Sequence, residues 1–196
     1  MTDDSRLLEA LRTKLEPRAR ARYPPVALDA VRAAEARVGF SFPPLLVRIW
    51  TELQNGGFGP GTGVLGVPPR GYVDDDLGAE DIVAHYLGSV ARALCPPRVV
   101  ALCNWGCAIW SYVDCNDHRA RVISSEGADT GDPFSIRYCL SCDSLNEWLS
   151  KWLAGVSLFD DMHEVVGHRE SMNPFTRRPT MRPVLRLRGT VVYLAP

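Results

Sequence analysis

Four cysteines stand at spacings that zinc chemistry uses. Cys103 and Cys107 form one short-spaced pair, and Cys139 and Cys142 form a C-x-x-C pair, each beside a predicted β-turn. Thiolate sites collect ligands in such pairs because a turn lets two sulfurs converge on a tetrahedral ion. The first pair, however, is spaced more widely than C-x-x-C and lies in apolar strand-like runs, where a free cysteine packs as a small hydrophobe. The sequence therefore reads as buried thiols. Cys103, Cys107, Cys139 and Cys142 are the one set to which a zinc ion would be assigned, and no cofactor is expected.

Other constellations are weaker. Gly61-Thr-Gly-Val-Leu-Gly66 has the glycine spacing of a dinucleotide loop, and Glu80 and Asp81 fall near the distance of a ribose-binding acid. That chemistry needs a strand before the motif and a helix N-terminus at its end. Here a helix stop precedes it and a strand-like run lies inside it, so a tight loop is expected. His163 and His168 are five residues apart, about 140° around a helix, whereas a zinc-protease helix needs a spacing of four. Asp114, Asp117 and His118 gather in a turn, where such residues serve the backbone. No Ser or Cys has a positional partner that would make it a nucleophile. No catalytic residue is assigned.

The densest charge cluster is Asp74, Asp75, Asp76, Glu80 and Asp81. As binding chemistry, these carboxylates suit the basic cleft of a protein such as a nuclease. As structure, they form a solvated loop that caps the following helix and favours its dipole. The formal net charge of −1 conceals segregation. Residues 1–22 carry +2 and residues 168–196 carry +5, while residues 23–167 hold 10 basic and 18 acidic side chains. An acidic body suits a basic partner. The basic end could equally fold back onto that body. It lacks aromatic interleaving beyond Phe175 and Tyr193, so no direct nucleic-acid partner is expected.

These groups must be positioned by a chain of 196 residues with 46% hydrophobic side chains, enough for one domain with a sizeable core. No apolar run spans a membrane, and the polar N-terminus leads into a helical pattern, so a cytoplasmic protein is expected. Leu7, Leu8, Leu11 and Leu15 set a first helix, and residues 27–38 a second that stops at Gly39. Pro44 opens a third, whose apolar face carries Leu45, Leu46, Ile49, Trp50 and Leu53 and which Asn55-Gly56-Gly57 closes. Val64–Val67 reads as a short buried strand, and Ile82–Val90 as a fourth helix. Strands follow at 98–103, 107–113, 121–124 and 134–140, with Asn104-Trp-Gly106 as a hairpin turn. Ser144-Leu-Asn-Glu147 is a capping box opening a final helix that buries Trp148 and Trp152. Residues 173–183 read as an extended arm, and 184–194 as one short strand or hairpin. The fold class is α+β, a mostly antiparallel sheet with helices packed against it. It divides into a helical extension (1–24), a domain (25–156) and a basic tail or arm (157–196).

The order of these motifs resembles the SUKH superfamily, which includes bacterial toxin-immunity proteins and a fungal regulator of cell-wall synthesis. The resemblance covers about residues 25–155. It rests on Glu35-Ala-Arg-Val-Gly-Phe40, Phe42-Pro-Pro44, Trp50 with Asn55-Gly-Gly57, Val99–Cys107 with its Trp105-Gly106 turn, and Ser144–Trp152. It implies a SUKH-like fold and a non-enzymatic protein that blocks a co-encoded toxin, a nuclease or deaminase, by occlusion. The alternative is an intracellular scaffold or regulatory module of the same fold without a toxin partner. The family pattern carries no catalytic residues. Asp74, Asp75, Asp76, Glu80 and Asp81 are the candidate partner-binding residues, and the oligomeric state is left open.

Overall fold

The computed structural model describes residues 3–15, 21–74, 80–106, 108–126, 136–172 and 177–194. Within them lie six α-helices: α1 (Asp3–Lys14), α2 (Leu28–Val38), α3 (Pro44–Arg48), α4 (Ile82–Ala91), α5 (Leu145–Leu153) and α6 (Leu158–Asp161). Five strands form an antiparallel sheet in the order β1 (Val99–Gly106), β2 (Ile109–Asp114), β3 (Val122–Glu126), β4 (Arg137–Cys142) and β7 (Val191–Leu194). A separate two-stranded ribbon pairs β5 (His163–Met172) with β6 (Pro179–Leu187). The fold is α+β, as the order of elements implied.

The third helix departs from a single regular helix. After α3 the chain makes a π-helical turn, Ile49–Leu53, and the Gln54 amide reaches back five residues to the Ile49 carbonyl at 3.0 Å. The extra residue in that turn goes with the burial of Trp50 and then of Leu53, Gln54 and Asn55 in succession. Trp50 Nε1 then donates to the Leu65 carbonyl at 3.1 Å. Asn55 donates from Nδ2 to the Val67 carbonyl at 2.8 Å and accepts the Val67 amide at Oδ1 at 2.9 Å.

Those bonds explain why Val64–Val67 is not the strand its composition suggests. Its backbone groups are spent one at a time on different segments. Leu65 donates to the Leu102 carbonyl of β1 at 2.7 Å, and Gly66 donates to Tyr72 at 2.9 Å. The Gly66 carbonyl in turn accepts the Ile82 amide at 3.1 Å, fixing the start of α4. A Cβ at Gly66 would lie 2.4 Å from the Asn55 carbonyl oxygen, and one at Gly61 equally close to that of Asn104. Close backbone approach, rather than a phosphate, accounts for both ends of the G-x-G-x-x-G run.

Helices cover both faces of the sheet. α4 lies over the face carrying Trp110 and Tyr112, which its His85 ring meets. α5 lies over the other face, where Trp148 packs beside Ser111, Ser124, Ser141 and Cys142. On that face the buried hydroxyls satisfy one another across three strands. Trp105 Nε1 donates to Ser111 at 2.9 Å, Ser111 and Ser124 bond at 3.3 Å, and Ser124 and Ser141 bond at 2.7 Å. The capping box opens α5 in a shifted form. Ser144 Oγ accepts the Glu147 amide at 3.0 Å, while Glu147 Oε2 accepts the amide of Asp143, one residue earlier than the usual reciprocal bond. α1 docks on α5, with Asn146 Nδ2 donating to Asp4 at 2.6 Å and Lys14 Nζ lying 4.3 Å from the Trp152 ring.

The chain beyond residue 157 folds back on the body. β7 pairs with β4, and Tyr193 donates its hydroxyl to buried Asp114 at 3.0 Å. Residues 179–183, read from sequence as part of an extended arm, belong to β6 and pair with β5. The alternation signal fails there because both faces of a thin ribbon are largely exposed. Its base is held by Met162 and Leu187, which pack with Cys139 against Trp105, Ile109 and Phe159.

Trp148, buried on the sheet-facing side of α5, and the Ser144 cap of that helix set one expectation. Trp148→Ala is expected to lose about 3–5 kcal/mol through the cavity it leaves, and Ser144→Ala about 1 kcal/mol through the lost cap. Urea denaturation at unchanged slope measures both. A Trp148→Ala variant within about 0.5 kcal/mol of wild type would exclude that ring from the stabilising core.

Candidate functional site

A cleft of about 300 Å³ opens between α4 and strands β2 and β3. The pattern of buried residues in α4 turns Ile82, Val83 and Tyr86 inward and brings His85 and Ser89 to the sheet. Trp110 and Tyr112 come from one face of β2, two residues apart, and Ser125 sits opposite Trp110 on β3. The His85 ring lies 4.5 Å from the Trp110 ring, tilted by 41°. Arg92 and Glu80 complete the rim. Arg92 is held by its Nε bond to the Gly88 carbonyl at 3.0 Å.

Burial dominates the electrostatics of the cleft. His85 is only 8% exposed, and desolvation, with the nearby Arg92 charge, lowers its pKa from 6.5 to about 4 against the opposing pull of Asp74. The imidazole is therefore neutral at pH 7 and offers one donor and one acceptor. Burial likewise raises Tyr112 and Tyr138 well above the ordinary tyrosine range. Tyr138 spends its hydroxyl on the Leu94 carbonyl at the back of the cleft. The result is an aromatic floor with a neutral imidazole and one charge of each sign at its edge.

The acidic cluster is split by the fold. Asp74 is 2% exposed, accepts from Thr62 Oγ1 at 3.1 Å, and joins Glu80 through a backbone bridge. Asp81 is the N-cap of α4, accepting the Val83 and Ala84 amides at 2.9 Å each. Glu80 lines the cleft. Asp75 and Asp76 lie outside the described residues. The capping role of Asp81 was legible in the sequence, while the burial of Asp74 was not, because three successive aspartates look alike before the fold separates them.

The four cysteines do not converge. Cys103 is on β1 and Cys139 on β4, three strand spacings or about 14 Å apart in the sheet. Cys107 lies outside the described residues, and no group of three metal-ligating side chains forms among the described ones. Burial raises the thiols of Cys95 and Cys115 to about 12 and of Cys142 to about 11, and raises Cys103 further still. These values disfavour thiolate chemistry at neutral pH.

His163 and His168 are both on β5 rather than a helix, with His163 buried beside the Phe159 carbonyl at 2.6 Å and His168 exposed. Asp114 and Asp117 hold their turn. Asp114 accepts from the Asn116 amide at 2.9 Å and from Arg121 at 3.1 Å, and Asp117 accepts the Arg119 amide at 2.8 Å. The cleft residues His85, Trp110 and Tyr112 were missed by sequence reasoning. Trp110 and Tyr112 read as core-facing strand residues, and the one available signal was a histidine inside an otherwise apolar helix face.

No described protein family matches the chain, and no curated protein matches it. No helix among the described residues is long and apolar enough to cross a membrane.

The depressed pKa of His85 sets a pH dependence. In the unfolded chain the imidazole titrates near 6.5, and in the fold near 4. Between those values only the unfolded chain binds the proton, so stability falls as pH drops through that window. The shift corresponds to about 3 kcal/mol. His85→Phe, which keeps a ring against Trp110, is expected to flatten the stability profile between pH 7 and 4 by about that amount. Equal slopes for wild type and variant in denaturation series would contradict the assignment.

Proposed function

We propose that the chain is a SUKH-like, non-enzymatic protein-binding module that acts as an immunity protein, with the α4–β2–β3 cleft receiving part of the partner. The observation that carries this reading is the cleft itself. Trp110, Tyr112 and His85 form a preformed aromatic surface with Arg92 and Glu80 at the edge, the composition of an interface anchor point. The family resemblance supports the same reading through the motif Trp50–Asn55-Gly-Gly57, whose residues all serve the scaffold.

Absence of catalysis is part of the proposal. Among the described residues, His85 makes no hydrogen bond to a hydroxyl or thiol that it could activate, and the buried cysteines hold their protons. The mechanism is occlusion. A rigid cleft takes a protruding side chain of the toxin, while the net negative body speeds encounter with a basic nuclease or deaminase surface. Glu80, on the rim of the cleft, adds to that field at the point of contact.

The test uses the product of the adjacent gene as the partner. Wild type is expected to protect cells from that product and to bind it in surface-binding measurements. Glu80→Lys combined with Arg92→Glu reverses two rim charges without entering the core, and should weaken binding at least tenfold with the melting temperature unchanged. Full-strength binding by the double variant would remove the cleft from the interface. No binding by wild type would remove the immunity role.

A further inference from the structure

The β5–β6 ribbon presents a face with exposed apolar side chains. Directly paired residues of antiparallel strands share a face, so Val165 with Leu185, Glu170 with Met181, and Met172 with Pro179 all point the same way. Val165 is 58% exposed, Met172 61%, Met181 64% and Leu185 36%. The opposite face carries Arg169 directly across from Arg182, and Arg186 paired with Glu164 at 2.6 Å. A two-stranded ribbon of this kind has little stability of its own and gains most from a second layer on its apolar side.

We infer that the chain self-associates through this ribbon, the apolar face of one copy packing on that of a second across a two-fold axis. The area fits a weak association. Four side chains of this size and exposure, with the adjoining prolines, present roughly 400–500 Å² per copy, so pairing removes at most about 800–1,000 Å², the size of a transient interface rather than a permanent one. The charges fit as well. Among the described residues of the two strands, the ionisable groups on the apolar face are His168 and Glu170, two residues apart on β5, together with His163 at its buried base. A two-fold axis that passes between His168 and Glu170 would set the carboxylate of one copy against the imidazole of the other, an isologous and self-complementary contact. Arg169 and Arg182 lie on the far face, so pairing keeps four arginines apart in solvent. Nucleic acid would take the arginine face and leave the apolar side chains in water. None of the four apolar residues lines the cleft, so this inference is independent of the proposed function.

Sedimentation velocity of the full chain over about 5–200 µM tests it, micromolar affinity being the range for an interface of this size. The mass is expected to rise from 21.7 kDa toward twice that value. Val165→Glu with Met181→Glu, or Met181→Glu alone, alters only exposed positions, and should weaken association at least tenfold with an unchanged circular dichroism spectrum. Arg169→Ser with Arg182→Ser should associate as wild type does. A wild type that stays monomeric throughout would overturn the inference, as would glutamate variants that dimerise normally. So would a monomer that binds a duplex of about 20 bp and loses it with the two arginines.

Discussion

The side chain of Asn55 is the constraint on which the arrangement depends. It is fully buried and bonds both the amide and the carbonyl of Val67, twelve residues along the chain. Loop backbone inside a protein is tolerable only when its polar groups are paired, and one carboxamide pairs two of them. Trp50 adds a third bond, to Leu65, from the adjoining helical turn. Leucine or alanine at 55 would leave the Val67 groups without these partners.

The consequences run outward from that lock to the cleft. With Val67 and Leu65 fixed, the segment between them lies along β1 and offers the Gly66 carbonyl to Ile82. That bond, with the Asp81 cap, sets where α4 begins. A helix advances about 1.5 Å and 100° per residue, so the start of α4 decides whether His85 meets Trp110 and Tyr112 or passes beside them. The depressed pKa of His85 follows from this contact, because burial against Trp110 strips the imidazole of water and the Arg92 charge adds to the effect. The site's chemistry is set by an asparagine that does not touch it.

Much of the fold was legible because its signals were local. Proline at the start of α3, glycine after α2 and the Ser144–Glu147 cap mark boundaries through single-residue chemistry, and those boundaries stand within a few residues. The strand-like reading of Val64–Val67 went wrong because composition reports burial, not where hydrogen bonds go. The π-helical turn was hidden because the residues that require it, Trp50 and Asn55, reach partners far along the chain. The ribbon strands were hidden for the opposite reason: with little burial, alternation has nothing to mark. The candidate site was the least legible part. Its acids were visible, but the fold assigns Asp74 to the interior and Asp81 to a cap, and only Glu80 to the cleft. The aromatic floor arises from the β2–β3 register and the position of α4, neither of which is written in any one segment.

Native-state hydrogen exchange on Asn55→Ala tests the central claim, that this side chain holds the loop that in turn places α4. The account predicts a selective loss of protection at the Leu65, Val67 and Ile82 amides, tenfold or more, while amides in the centre of β2 and β3 exchange as in wild type under conditions where global unfolding is not the exchange route. Unchanged protection at Val67 and Ile82 would contradict it.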